Sequence, residues 1–166
     1  IPESDNKIPD ILDEMMYNLE WMLTMQDPTD GGVYHKLTTP NFEGFVMPED
    51  CKQQRYVVQK TTTAALDFAA TMALAARIYQ RFPEFQSFCQ QAIESAEKAY
   101  AWAVKHPTVY YDQDGNNKKF SPAIQTGGYG DNHTEDEFFW AATELYLTTS
   151  ETSYLEQAKQ FVPDEF

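Results

Sequence analysis

Between Thr63 and Tyr79 the chain reads Thr-Ala-Ala-Leu-Asp-Phe-Ala-Ala-Thr-Met-Ala-Leu-Ala-Ala-Arg-Ile-Tyr, apolar or small nearly all round. A helix without a wide polar stripe cannot lie on a surface, so its neighbours must cover it on most sides. Its alanines favour helix and let those neighbours come close. The run therefore demands a central helix wrapped by others. No segment alternates apolar and polar residues with the period of two that a half-buried strand needs, and an all-α fold is expected.

The remaining helices follow from spacing. Ile8, Ile11, Leu12, Met15, Met16, Leu19, Met22 and Leu23 mark one helical face, with Pro9 expected in the first turn and Asp10, Asp13 and Glu14 suited to the positive end of the dipole. This helix closes before Asp27-Pro28. After Pro83, Phe85, Phe88, Ala92, Ile93, Ala96, Tyr100, Ala103 and Val104 share a face opposite Gln90, Gln91, Glu94, Glu97 and Lys98, the pattern of an amphipathic outer helix. A fourth helix is expected near Glu135 to Thr149 and a fifth from Ser153. A weak repeat links these segments: Ala75-Ala76-Arg77-Ile78-Tyr79 with Gln91-Ala92, and Ala142-Thr143-Glu144-Leu145-Tyr146 with Gln157-Ala158. That offset fits a helical hairpin plus one long loop.

Tight turns join helices two and three at Arg81-Phe82-Pro83 and helices four and five at Thr149 to Thr152, whereas the links at 27–60 and 105–134 are long. Alternating helix directions would put both long links at one end of the scaffold, where binding and catalysis usually reside. They carry Tyr34, His35, Arg55, Tyr110, Tyr111, Tyr129, Asp131 and several glycines. Flat rings stack on sugar faces while carboxylates, amides and imidazoles bond hydroxyls, so a saccharide cleft is one reading. Loop aromatics that plug the end of a bundle are the other.

Charge narrows the partners. Twelve Lys and Arg against 26 Asp and Glu leave a net charge of −14, which repels nucleic acid and anionic lipid. No apolar run approaches the length of about 18 residues that suggests a membrane helix, and a soluble globular chain of one domain is expected. Cys51 and Cys89 lie far apart in sequence, one in a polar loop and one on a helix face, and are expected as free thiols. Ile1-Pro2-Glu3-Ser4 lacks a signal peptide's basic start and apolar stretch, so the chain is expected to begin inside something longer or after processing. Asp112-Gln113-Asp114-Gly115-Asn116 misses the glycine and closing glutamate of a calcium loop and reads as a turn. His35, His106 and His133 lack zinc spacing, and no serine sits in a nucleophile elbow.

Four runs together resemble glycoside hydrolase family 9, the inverting cellulases. They are Asp30-Gly31-Gly32-Val33-Tyr34-His35-Lys36, Thr61-Thr62-Thr63-Ala64-Ala65-Leu66-Asp67-Phe68-Ala69-Ala70, Thr126-Gly127-Gly128-Tyr129-Gly130-Asp131 and Asp136-Glu137-Phe138-Phe139-Trp140-Ala141-Ala142-Thr143-Glu144-Leu145-Tyr146. The resemblance covers nearly the whole chain in order. It implies an (α/α)6 barrel of which residues 1–166 would form about two and a half hairpins, and a β-1,4-glucan hydrolase, most simply an endoglucanase, secreted, periplasmic or at the cell surface. A glucosidase, glucosaminidase or xyloglucan-directed relative fits as well, and a helical-repeat module binding a protein partner is the rival from another class.

The family's paired aspartates, in a Gly-Gly-Trp-Tyr-Asp-Ala-Gly-Asp type motif, and its distant glutamate are both missing here. No catalytic residue is therefore assigned within this segment, and the isolated chain is expected to be inactive. The resemblance implies substrate contacts at Tyr34, His35, Tyr129 and Asp131, with Arg55 ordering the same rim; His35 could instead cap a turn through a backbone carbonyl, and Arg55 could be an exposed ion-pair partner. It also implies calcium at Asp136 and Glu137 with carbonyls near Asn132 and His133, although acidic residues at a helix start serve the dipole without metal. No organic cofactor is implied. Open helix faces on a partial barrel would be an association liability.

Overall fold

The computed structural model describes residues 6–162, so the opening Ile1 to Ser4 lies outside the described residues. Among them are six α-helices: α1 (Asp10–Leu23), α2 (Thr62–Tyr79), α3 (Gln86–Lys105), α4 (Gln113–Lys119), α5 (Glu135–Thr149) and α6 (Thr152–Lys159). One small antiparallel ribbon joins β1 (Leu37–Thr38) to β2 (Tyr56–Val57).

Helix α2 is the central element that its composition demands. It begins at Thr61, whose hydroxyl accepts from the Ala64 amide at 3.3 Å, satisfying one of the free donors at a helix start. It packs against α3 on one side and α5 on the other. On α3 the stripe Ala92, Ala96, Ala99 and Ala103 is fully buried, and Ala65, Ala69 and Ala73 of α2 are likewise without exposure. Small side chains on both helices let the backbones approach. Enlarging Ala96 to Leu would cost about 1–3 kcal/mol through overpacking.

The two arms of the weak repeat meet each other. Arg77 and Glu144 hold equivalent repeat positions, and the Arg77 guanidinium reaches the Glu144 carboxylate at 2.5 Å and Thr148 Oγ1 at 2.8 Å. The Thr148 hydroxyl donates on to the Ala73 carbonyl at 2.9 Å. Hairpins α2–α3 and α5–α6 are thus joined by side chains as well as by packing. Across α2, the Tyr79 hydroxyl donates to the Leu12 carbonyl and ties α1 to the core.

Three local expectations are corrected. Pro9 is the residue before the first helical turn rather than within it. The Asp112 segment opens a helix and not merely a turn: the Asp112 side chain accepts from the Gly115 amide at 2.9 Å, an N-cap that nucleates α4. The β1–β2 ribbon escaped notice because two-residue strands carry no periodicity. Cys51 and Cys89 are both free thiols, as expected.

Candidate functional site

The first long link, residues 24–61, is anchored by its Asp-Pro-Thr-Asp-Gly-Gly turn. Lys60 Nζ bridges Asp27 at 3.0 Å and Asp30 at 2.7 Å. Trp102 Nε1 of α3 donates to Asp30 at 3.2 Å, and the Tyr34 hydroxyl donates to Asp27, also at 3.2 Å. Hydrogen bonds from Thr29 and then from Lys60 hold the Asp27 carboxyl far below the usual range. The two glycines answer to α3. A Cβ on Gly32 would stand 2.7 Å from the Trp102 ring, and Gly31 has a φ of +85° with the Lys98 carbonyl 2.9 Å from where its Cβ would be.

Beyond this anchor the chain runs out to the second long link and is bolted to it. Lys36 Nζ donates to Gln113 Oε1 at 3.1 Å, to Thr126 Oγ1 at 3.2 Å and to the Gly127 carbonyl. Thr38 and Thr126 hydroxyls meet at 2.8 Å, and the Gln125 amide donates to the Pro40 carbonyl at 2.7 Å. Burial pushes the Lys36 ammonium below its ordinary pKa, and neutral oxygens are what compensate it. Both links therefore build one rim.

His35 is the centre of that junction. Its Nε2 lies 3.0 Å from the Gly128 carbonyl, which can only accept, so Nε2 carries the proton. Nδ1, at 3.0 Å from Thr61 Oγ1, then accepts from the hydroxyl that also caps α2. The ring stacks on Tyr111. Burial lowers the imidazole pKa and keeps it neutral. The backbone-carbonyl role that competed with substrate contact is thus present, and no ring nitrogen is left free for a sugar hydroxyl.

The predicted site residues separate into three places. His35, Tyr129, Asp131 and Glu137 line a recess of ≈ 400 Å³ with Thr63, Ala64 and Asp67. Arg55 lines a neighbouring hollow of ≈ 510 Å³, and the Tyr129 ring, 77% exposed, borders both. Tyr34 faces away, into a third cavity of ≈ 370 Å³ with Tyr56, Tyr111 and Phe120. Adjacent residues in extended chain point to opposite sides, which parts Tyr34 from His35. Asp136 neighbours Glu137 at the start of α5, and among the described residues no three His, Cys, Asp or Glu side chains gather as a metal-binding group.

The recess is unusually acidic. Glu137 is pushed up to about 7 by burial and by Asp136, with Asp67 adding to it. Asp67 rises to about 6 by burial and by Asp136 and Asp131. The Glu137 Oε2 atom is shielded and has no hydrogen-bond partner. Sequence reasoning assigned no role to Asp67, Lys36 or Tyr111. Asp67 alone had a usable signal, as the only charged residue amid the apolar run before Arg77.

The sequence profile of glycosyl hydrolase family 9 matches residues 2–165. The chain belongs to that family. It is 63% identical over 164 residues to the xyloglucan-specific endo-beta-1,4-glucanase of Bacteroides ovatus, covering 98% of this chain and 28% of that protein. It is 38% identical over 157 residues to endoglucanase D of Acetivibrio thermocellus, covering 93% of this chain and 24% of the relative. Among solved structures, a family 9 protein of Bacteroides ovatus superposes with a TM-score of 0.95 at 62% identity, over 100% of this chain and 30% of that one. A mutant thermostable endoglucanase of Alicyclobacillus acidocaldarius gives 0.83 at 31% identity, over 95% of this chain and 28% of that one. The family 9 chain described here thus spans under a third of its relatives' length, and its hairpins form an arc of the family's (α/α)6 barrel.

Proposed function

We propose that this family 9 segment supplies part of the wall of a glucan cleft in an endo-acting β-1,4-glucan hydrolase, with xyloglucan as the favoured polymer. The observation that carries the reading is the bolting of the two long links into one rim, with Tyr129, Asp131 and His35 in one recess. The 63% identity to a xyloglucan-specific relative supports the choice of polymer. Tyr129 offers a ring face and Asp131 a hydroxyl acceptor, while His35 positions the Gly128–Tyr129 backbone beneath them.

Inversion at an anomeric carbon needs a general base and a general acid roughly 6.5–9.5 Å apart. The family motifs that would supply them are absent from the sequence. Asp67 and Glu137 are pushed up, first by burial and then by neighbouring carboxylates, and a cation would relieve the second of these causes. Calcium fits this corner: Glu137 offers a shielded, unpartnered oxygen and Asp136 a second carboxylate, the hard donors that Ca²⁺ prefers. When bound, the ion would neutralise the α5 start and fix the residues leading to Asp131. Saturable binding of xyloglucan and cellulose oligosaccharides, measured by calorimetry on the chain and on a longer form carrying its family neighbours, tests the reading. Absence of sugar binding in the longer form would sink it in favour of a protein-binding module.

A further inference from the structure

Outside the recess the chain carries two exposed apolar features that complement each other. The first is a loop tip. Phe45, Val46 and Met47 are consecutive and 112%, 48% and 60% exposed, and a Cβ added to the neighbouring Gly44 would meet nothing within 4 Å. The tip stands clear of the body, yet it is held at both ends. The Pro40 carbonyl accepts from the Gln125 amide at 2.7 Å, and the Asp50 amide donates to the Met47 carbonyl at 2.9 Å. A projecting run of three large apolar side chains marks an interaction surface.

The second feature is a socket. The ≈ 370 Å³ cavity between β2 and α4 is walled by Tyr34, Tyr56, Val57, Tyr111, Phe120 and Ile124, and no charged side chain lines it. Its amides are already paired. Asn116 donates to Gln59 Oε1 at 2.7 Å, and Asn117 exchanges two hydrogen bonds with the Ile124 backbone, each 2.8 Å. Amides so engaged have little to offer a sugar hydroxyl, whereas the rings around them gain by covering an apolar side chain.

Charge matches the one to the other. The loop from Phe42 to Asp50 holds Glu43, Glu49 and Asp50 and no cation. Next to Phe120, at the cavity wall, stand Lys118 and Lys119, the only adjacent pair of cationic residues in the sequence, and both are exposed. Among the described residues, Glu49, Asp50, Lys118 and Lys119 take part in no ion pair. Two copies that each carry a net charge of −14 repel one another, so a contact between them is favoured where acid faces base.

We infer that the Phe45–Met47 tip of one copy of this chain docks in the Tyr56–Phe120 cavity of a second copy, with Glu49 and Asp50 set against Lys118 and Lys119. The occupant is a second copy because both halves of the contact, apolar and charged, are present on one chain. Made reciprocally the contact closes a dimer, and made once per copy it continues as an open chain. It is independent of the cleft, since neither the tip nor the cavity includes His35, Tyr129 or Asp131.

Sedimentation velocity of the 166-residue chain over a concentration series tests the contact. Wild type should associate in the micromolar to submillimolar range, as suits an interface below standard size. Phe45→Ser and Phe120→Ser should each weaken association about tenfold or more, the scale of one buried aromatic ring. Both rings are exposed in the single chain, so neither change should lower the melting temperature. The decisive measurement is the mixture: Phe45→Ser keeps an intact cavity and Phe120→Ser an intact tip, so the two combined should recover association that neither shows alone. Reversing both Lys118 and Lys119 to Glu should also weaken association. A wild type that sediments as a single chain at every concentration overturns the inference. So does association that either serine variant leaves intact, which would place the contact on open helix faces, and so does a mixture as dissociated as its components.

Discussion

The imidazole of His35 lies flat on the ring of Tyr111, with centroids 4.5 Å apart and planes inclined by 16°. Its two nitrogens reach Thr61 at the start of α2 and the Gly128 carbonyl in the second link. One side chain thus joins three segments far apart in sequence, and its removal strands partners on each.

His35→Ala should lower unfolding free energy by about 2–3 kcal/mol, the cost of two lost hydrogen bonds and a stacked pair. His35→Gln keeps a donor and should recover part of it. The pH dependence has a definite sign. Burial lowers the folded pKa below the ordinary 6.5, so the unfolded chain takes up the proton first. Stability from this group is full above 6.5 and declines as pH falls below it. Denaturant midpoints of wild type and His35→Gln, compared between neutral and mildly acidic pH, should converge on acidification.

Lys36→Met keeps the side-chain bulk and abolishes three donations. Gln113, Thr126 and Gly127 lose a charged donor at once, and a loss of about 1.5–3 kcal/mol is expected. Limited proteolysis should cut within residues 113–128 faster than in wild type. Unchanged cleavage there would show that Thr38–Thr126 and Gln125–Pro40 suffice to hold the links together.

Gly31 and Gly32 test the fit of the anchor against α3. Gly32→Ala drives a methyl into the Trp102 ring, and Gly31→Ala adds a left-handed backbone to a clash with the Lys98 carbonyl. Each should cost about 1–3 kcal/mol. Trp102→Phe should relieve Gly32→Ala, since the contact is with the indole's nitrogen side, and should leave Gly31→Ala unrelieved. Thermal melts of the two double variants discriminate them.

Calcium should raise the melting temperature, by the equivalent of about 2.7 kcal/mol at a hundredfold excess over Kd. In EDTA at neutral pH, Glu137→Gln should be more stable than wild type, because burial first and Asp136 next penalise in the folded protein the charge that the Glu137 carboxylate carries freely in the unfolded chain. The same variant should lose most of the calcium response. A wild-type melt that calcium does not move would rule the ion out at this corner.

The helices were legible from local physics. Periodicity and prolines act over one or two turns, so α2, α3 and α5 follow from the sequence to within a residue or two, and the alanine-rich run already required neighbours on most sides, whereas the short α4 behind its Asp112 cap read only as a turn. The family, too, could be read from four ordered runs. Partnership across the long links was not legible, because it depends on which atoms tertiary packing brings together. Nothing near Lys36 announces that Gln113, Thr126 and Gly127 will surround it, and the sequence alone grouped Tyr34 with His35, which the extended chain turns to opposite sides. Asp67 was visible only as a lone charge in an apolar helix; its rise to about 6 is set by burial and by the nearness of Asp136 and Asp131, both placed by α5 and its preceding loop. Short-range backbone preferences, written into the chain, fixed the scaffold. The chemistry of the rim came from long-range contacts, where side chains meet only once the helices have packed.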